Sequence, residues 1–236
     1  LARGHPRDAS GELVRVARDG NRLVRVPEGS LQEKGHFPYV FRTLRLGRGD
    51  VHLSRITINR EQGAHSGQDK PTLRVATPVL GNAGKPVGVN VDLNGLFALM
   101  RNDVPADAHL YLANEWGDFL IHPDPRMTFG FDRGRRILAQ DSFEQVRSLF
   151  EGRADSVVAT IPADRLSPTV RAGQAQAASV AALPGSPPGG QGLVVAFHKL
   201  PFGDPAAGGF VVIGLSQSLD KVLAETRAMG IRTLQI

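Results

Sequence analysis

Apolar and polar residues alternate, or run apolar, in the same order twice along this chain. Thr72–Leu80 and Val87–Leu93 are β-branched, apolar stretches. Between them, Gly81–Pro86 supplies the glycines and the strand-opening proline of a tight turn. The spacing predicts strand, turn and strand, then a helix from near Leu96 capped by Asp92 or Asn94. About 120 residues later the order returns. Leu193–Lys199 reads as a strand, Pro201–Gly208 as a turn and Gly209–Leu215 as a second strand. Ser216 is then expected to cap a helix over Gln217–Met229.

The opening of each copy also repeats. Glu12–Ala17 and Arg22–Val26 alternate around Arg18–Asn21, which predicts a hairpin with Asp19-Gly20 at its tip. About 97 residues on, Leu110–Ala113 and Asp118–His122 flank Asn114–Gly117 in the same way. One unit, a hairpin followed by a variable middle and a strand–turn–strand–helix, therefore occurs twice. In the first middle, Leu31–Leu44 predicts a short helix after Pro38, Val51–Ile58 a long strand, and Asn59–Lys70 a loop. Asn102–Ala106 reads as the join between copies. In the second middle, Pro123–Arg136 is irregular, Asp141 or Ser142 caps a helix through Phe150, and Ser156–Ile161 is a strand. Pro162–Gly192, rich in Ala, Pro, Gly, Ser and Gln, has little to bury and reads as a surface insertion.

Composition narrows the function classes. An apolar share of 41% over 236 residues is enough for the cores of two small domains. No apolar run approaches the ~20 residues of a membrane span, and residues 1–20 lack the hydrophobic segment of a signal peptide. The absence of cysteine excludes disulfides and thiolate chemistry. A net charge of +5 could suit nucleic acid. The arginines are dispersed, however, and aromatics make up only 6%, so no basic stripe or stacking platform forms. The seven histidines include no HExxH or HxH pair, and neither a GxSxG elbow nor a P-loop occurs. Metal-dependent hydrolysis therefore has no motif behind it, and no catalytic residue, metal or cofactor is assigned.

An antiparallel sheet entered and closed by hairpins, with helices between, is a PAS-like α+β arrangement. The segments GELVRVARDGNRLVRVPEGSLQEKG, VHLSRITINREQG, TLRVATPVLGNAGKPVGVNVDLNGLF and LYLANEWGDFLIHPDP resemble the double Cache (tandem PAS-like) extracytoplasmic sensors of bacterial transmembrane receptors. The resemblance spans nearly the whole chain outside Pro162–Gly192. It implies a distal module over residues 1–104 and a membrane-proximal module over 105–236. It also implies a small-molecule ligand, such as an organic acid or amino acid, in the first module. The whole protein would be anchored in the inner membrane with this region in the periplasm, as a homodimer. The sensor region would be non-catalytic itself, and its output a histidine kinase, a diguanylate cyclase or a chemoreceptor. The alternative is a structural, dimerising or partner-binding module with no small ligand.

The resemblance also assigns candidate ligand residues. Asp92 matches the aspartate that holds an ammonium in amino-acid-binding relatives, against a plain helix cap. His36, Tyr39 and Arg42 fall where carboxylate-binding and aromatic residues stand, with Pro38 near the place of a signature tryptophan. Tyr39 and Arg42, three apart, would share a helix face, and Arg42 could grip a carboxylate bidentately. His52 and Ser54 share a strand face at i, i+2, and Arg74 sits inside an otherwise apolar strand. Leu215 stands at the place of Asp92 in the second copy, so that module is expected to transmit without a ligand. His122-Pro123-Asp124-Pro125 reads as an architectural turn.

Overall fold

The computed structural model describes residues 12, 14–61, 64–65, 70–79, 86–168, 170–171, 192–203, 208–224 and 226. The chain divides into two compact units, Leu1–Asp92 and Leu93–Ile236. The boundary expected at residue 104 lies at the far end of the helix that opens the second unit.

The first unit begins with a hairpin, β1 (Val16–Asp19) and β2 (Arg22–Arg25), closed by a two-residue turn at Gly20-Asn21. Gly20 takes φ +56°, which costs glycine nothing. Helix α1 (Pro38–Thr43) starts at the proline, whose missing N–H is no loss in a first turn, and buries Val40 and Thr43. The long strand expected over Val51–Ile58 is broken into β3 (His52–Leu53) and β4 (Thr57–Ile58). The reason is local. Ser54 Oγ accepts the Arg74 N–H at 2.9 Å and donates to the Arg55 carbonyl, so a side chain replaces a ladder acceptor. The loop expected over Asn59–Lys70 contains a small hairpin, β5 (Arg60–Glu61) and β6 (Ala64–His65). Strands β7 (Pro71–Pro78) and β8 (Pro86–Asp92) pair from Thr72↔Asp92 to Pro78↔Pro86, and β3 and β4 pair with the other edge of β7. Most of the turn joining β7 to β8 lies outside the described residues.

The second unit opens with helix α2 (Asn94–Asn102). Its N-cap residue is Leu93, so neither Asp92 nor Asn94 stands at the capping position, in contrast to the sequence expectation. A five-stranded antiparallel sheet follows, made by β9 (Ala108–Ala113), β10 (Phe119–Ile121), β11 (Ser156–Pro162), β12 (Gly192–Pro201) and β13 (Phe210–Ser218). Its spatial order is β10-β9-β13-β12-β11. The helix expected through Phe150 is split into α3 (Ala139–Ser142) and α4 (Arg147–Phe150) by a 3₁₀ turn at Glu144–Val146. Tyr111, Phe119, Phe143, Val146, Leu149, Val195 and Phe197 form the core.

Two sequence expectations are corrected here. Ser216 does not cap a helix. It lies inside β13, buried, with Oγ 3.3 Å from Tyr111 Oη, and the chain turns helical only at 219. The segment after Pro162 is not all surface either, because Leu166 and Val170 enter the core cluster. Apolar side chains three or four apart at the head of a polar segment were enough to anchor it. Residues 172–191 lie outside the described residues.

The β9–β10 connection is pinned by a buried charge. Asp118, fully buried, accepts Arg136 Nε at 2.8 Å and Nη2 at 2.7 Å, and Asn114 Nδ2 at 3.2 Å. Removing the cation leaves the carboxylate in low dielectric with the amide alone. Because Arg136 is itself half exposed, solvent screens part of the pair. Arg136→Met should therefore destabilise the second unit by about 2 kcal/mol. Urea unfolding followed at Trp116, the chain's single tryptophan, which sits in that connection, measures it.

Candidate functional site

The first unit carries a polar sheet face. Alternation along β7 places Thr72, Arg74 and Ala76 on one side, and the ladder sets Asp92, Asn90 and Gly88 of β8 directly beside them. His52 pairs with Ala76, and Thr57 pairs with Thr72. Helix α1 packs over β7 and β3 and brings Tyr39 onto this face. The Arg74 guanidinium lies 5.6 Å from the Tyr39 ring centroid, within cation–π range. The same ring passes Gly88 so closely that a Cβ there would come within 3.9 Å of Cε2.

Arg74 is held from three directions. Its Nη1 donates to Thr57 Oγ1 at 3.0 Å, its N–H donates to Ser54 Oγ, and its carbonyl accepts the Ser54 N–H at 2.8 Å. Burial pushes the Tyr39 phenol above its usual range, Arg74 pulls it back down, and Glu12 adds to the rise. Tyr39 is thus a neutral hydroxyl at physiological pH, a donor beside a half-buried cation. His52 is buried on the same face, while Asp92 ends β8 exposed.

The structure brings Tyr39, Ser54 and Arg74 together and sets His52 and Asp92 on their sheet face. It does not bring Arg42 to them. Val40 and Thr43 take the buried side of α1, and Arg42 is exposed in the last turn. His36 is exposed as well, with Nδ1 2.7 Å from Glu33 Oε2. Its ring lies tilted against that of Phe37 with centroids 4.2 Å apart, and the Phe37 ring is 6.0 Å from that of Tyr39. A cleft of about 390 Å³ lies along this segment, lined by residues 29–34, His36 and Phe37. Lys34 Nζ sits 5.2 Å over the Phe37 ring. Sequence reasoning missed Phe37, Thr57 and Asn90. Phe37 had a readable signal as an aromatic directly before the helix-opening proline. Thr57 and Asn90 are placed by ladder register, which no local pattern reveals.

In the second unit, Leu215 stands at the position that the sequence matches to Asp92, and both residues are exposed. Leu215 points to the outer face and is 40% exposed, whereas Ser216 faces the core beside Tyr111. No carboxylate occupies the inner face at Val212, Gly214 or Ser216.

The sequence matches no protein-family profile and no curated protein. Solved structures do match in fold. One is the extracellular domain of a protein assigned as the histidine kinase vpHK1S-Z8. The TM-score is 0.60 at 16% identity over 92% of this chain and 68% of that one. A second, from Vibrio parahaemolyticus, is a domain of a protein assigned to the sensory box/GGDEF family. It gives a TM-score of 0.60 at 17% identity, over 90% of this chain and 69% of that one. The fold is that of a Cache-type sensor domain. The α+β, PAS-like class expected from the repeated hairpins holds. The strand order of the second unit, in which the closing strand lies at the centre beside the opening one, is the clearest expression of it.

Proposed function

We propose that this chain is the extracytoplasmic ligand-sensing region of a bacterial membrane receptor. Its ligand is a small metabolite bearing a carboxylate, held on the polar face of the first unit. One observation carries the reading: a half-buried arginine, Arg74, held by Thr57 and lying over the Tyr39 ring on the polar face of the sheet. A guanidinium oriented by neighbours loses little entropy on gripping a planar anion. Tyr39 and Ser54 supply hydroxyls beside it, and His52 backs the floor. Asp92, two residues from Asn90 along β8, is placed for an ammonium group, so an amino acid would span Arg74 and Asp92. His36, with Phe37, borders the cleft side, and Arg42 contributes at most to the surrounding positive field.

The sensor fold shared with proteins assigned to histidine-kinase and GGDEF families supports a signalling role. Binding shifts the balance of two conformations by the ligand's differential affinity for them. In the whole protein a homodimeric, membrane-anchored receptor with a kinase or cyclase output would read that shift.

Thermal unfolding against a panel of carboxylates, amino acids, amines and purines tests this. A ligand at about 100 times its Kd should stabilise by roughly 2.7 kcal/mol, on the order of 5–10 °C. Arg74→Ala should abolish the shift, and Arg74→Lys should recover only part of it because the fork is lost. Asp92→Ala should remove the shift for an amino acid and leave that of a simple acid. No shift across the panel would favour the structural or partner-binding alternative.

A further inference from the structure

The cleft along residues 29–37 has more buried donors than acceptors to meet them. It runs from the 3₁₀ turn at Glu28–Ser30 to Phe37, the residue before α1, and its volume of about 390 Å³ suits a small molecule. None of Tyr39, Thr57 and Arg74 lines it, so it is a different surface from the polar sheet face.

Arg15, just before β1, reaches the cleft wall. Its Nη2 donates to the Ser30 carbonyl at 3.1 Å, while Nε lies 3.8 Å from Glu12 Oε2, too far for a hydrogen bond. Glu12 in turn accepts the Gln32 N–H at 2.9 Å, and its own N–H donates to the Gln32 carbonyl at 2.9 Å. These contacts bring Arg15 to the wall formed by Ser30 and Gln32. Arg15 Nε and Gln32 Nε2 are both buried, and neither has an acceptor among the described residues. A buried N–H left unmade is costly, and native proteins leave few of them.

The carboxylates nearby are committed to the chain's own donors. Glu12 takes the Gln32 N–H. Glu33 takes the Gly35 N–H on Oε1 at 2.8 Å and meets His36 Nδ1 with Oε2 at 2.7 Å. Lys34 adds a second cation on the rim, with Nζ 5.2 Å over the Phe37 ring. Donors are therefore in excess, and one of them belongs to a guanidinium.

We propose that this cleft is a second binding site, for a small oxyanion, with Arg15 Nε and Gln32 Nε2 as its donors. A carboxylate or phosphoryl group has several acceptor oxygens, so one group can meet both N–H bonds, and a charged acceptor makes the stronger bond. Water can meet either donor but brings no charge to offset Arg15 and Lys34. The site lies where the root of the β1–β2 hairpin meets the segment leading into α1. It does not rest on the ligand proposed above for Arg74.

The side-chain N–H signals of Arg15 and Gln32 in ¹H–¹⁵N spectra report on the site directly. Sodium acetate and inorganic phosphate are titrated separately at fixed ionic strength, with sodium chloride as the reference salt. Both signals should shift saturably with acetate or phosphate and not with chloride. The tighter of the two anions then separates a carboxylate ligand from a phosphoryl one. Gln32→Leu should weaken that binding at least about tenfold. In chloride it should not lower the thermal midpoint, because the amide it removes has no partner to lose. In Arg74→Ala, which removes the sheet-face site, the acetate or phosphate shifts should persist, so each proposal can fail alone. Shifts no larger than those in chloride would overturn the proposal by leaving water as the occupant. Full binding in Gln32→Leu, or its loss in Arg74→Ala, would do the same by placing the anion elsewhere. A lower midpoint for Gln32→Leu would show the amide in structural use and end its role as a ligand donor.

Discussion

Phe143→Ala should lower the unfolding free energy of the second unit by about 4 kcal/mol. Phe143 is 1% exposed, and its ring meets Tyr111 edge-on at 5.1 Å and Phe197 at 5.1 Å. The truncation removes the transfer energy of a buried ring, two aromatic contacts, and the wedge between the short helices and the sheet. Collapse cannot refill the gap cheaply. Phe197 is already committed against Gly214, where any Cβ would strike its ring, and Tyr111 is tethered to Ser216. Denaturant unfolding read at Trp116 should show the midpoint falling with little change in slope, and heating should show a loss on the order of 10 °C. Phe41→Ala, at a position 39% exposed, should cost under ~0.5 kcal/mol. A shift below about 1 kcal/mol for Phe143→Ala would mean that the aromatic cluster is not the folding core of this unit.

That cluster also shows what was readable in advance. The hairpins and the closing strand pairs are period-2 patterns bounded by Gly, Pro, Asn and Asp, and strands form within each of these stretches. What failed did so where tertiary contacts override local pattern. Val51–Ile58 alternates well enough for one strand, yet the Ser54 hydroxyl takes over a ladder position and breaks it. Ser216 looks like a helix cap in sequence, because nothing local tells that its partner is Tyr111, 105 residues away. The candidate site divides along the same line. Arg74 drew attention as a cation inside an apolar run, and the sheet explains it through Thr57 and Tyr39. Spacing puts Arg42 on one face with Tyr39, on a helix whose buried residues are Val40 and Thr43. Spacing places residues on a common face, but it does not say which face meets the sheet.

Acid should destabilise the second unit well above the range where carboxylates titrate, and His122 is the group responsible. Its ring is 2% exposed, packed edge-on against Tyr111 at 5.3 Å and Phe119 at 4.8 Å. The Asp124 N–H donates to Nδ1 at 3.0 Å, which leaves the neutral ring's proton on Nε2, where no partner among the described residues lies within hydrogen-bond distance. Burial dominates and pushes the pKa down from 6.5 to about 4. The Asp124 carbonyl and carboxylate oppose this weakly, and His109 adds to it. The unfolded chain therefore binds a proton between pH 6.5 and about 4 that the folded one refuses, so stability is full above 6.5 and falls as pH drops through that window. A gap of about 2.5 units corresponds to about 3 kcal/mol. Asp124 and Asp107, which hydrogen bonds from Arg126 and Gln217 hold below the usual carboxylate range, lose their contribution only at lower pH. The two windows thus separate. His122→Phe should flatten urea midpoints between pH 6.5 and 4, leaving a small slope from half-buried His109, whose pKa burial also lowers. It should leave the steeper loss below the carboxylate range unchanged. An unaltered pH profile in His122→Phe would place the proton uptake elsewhere and make the burial of this imidazole incidental to acid stability.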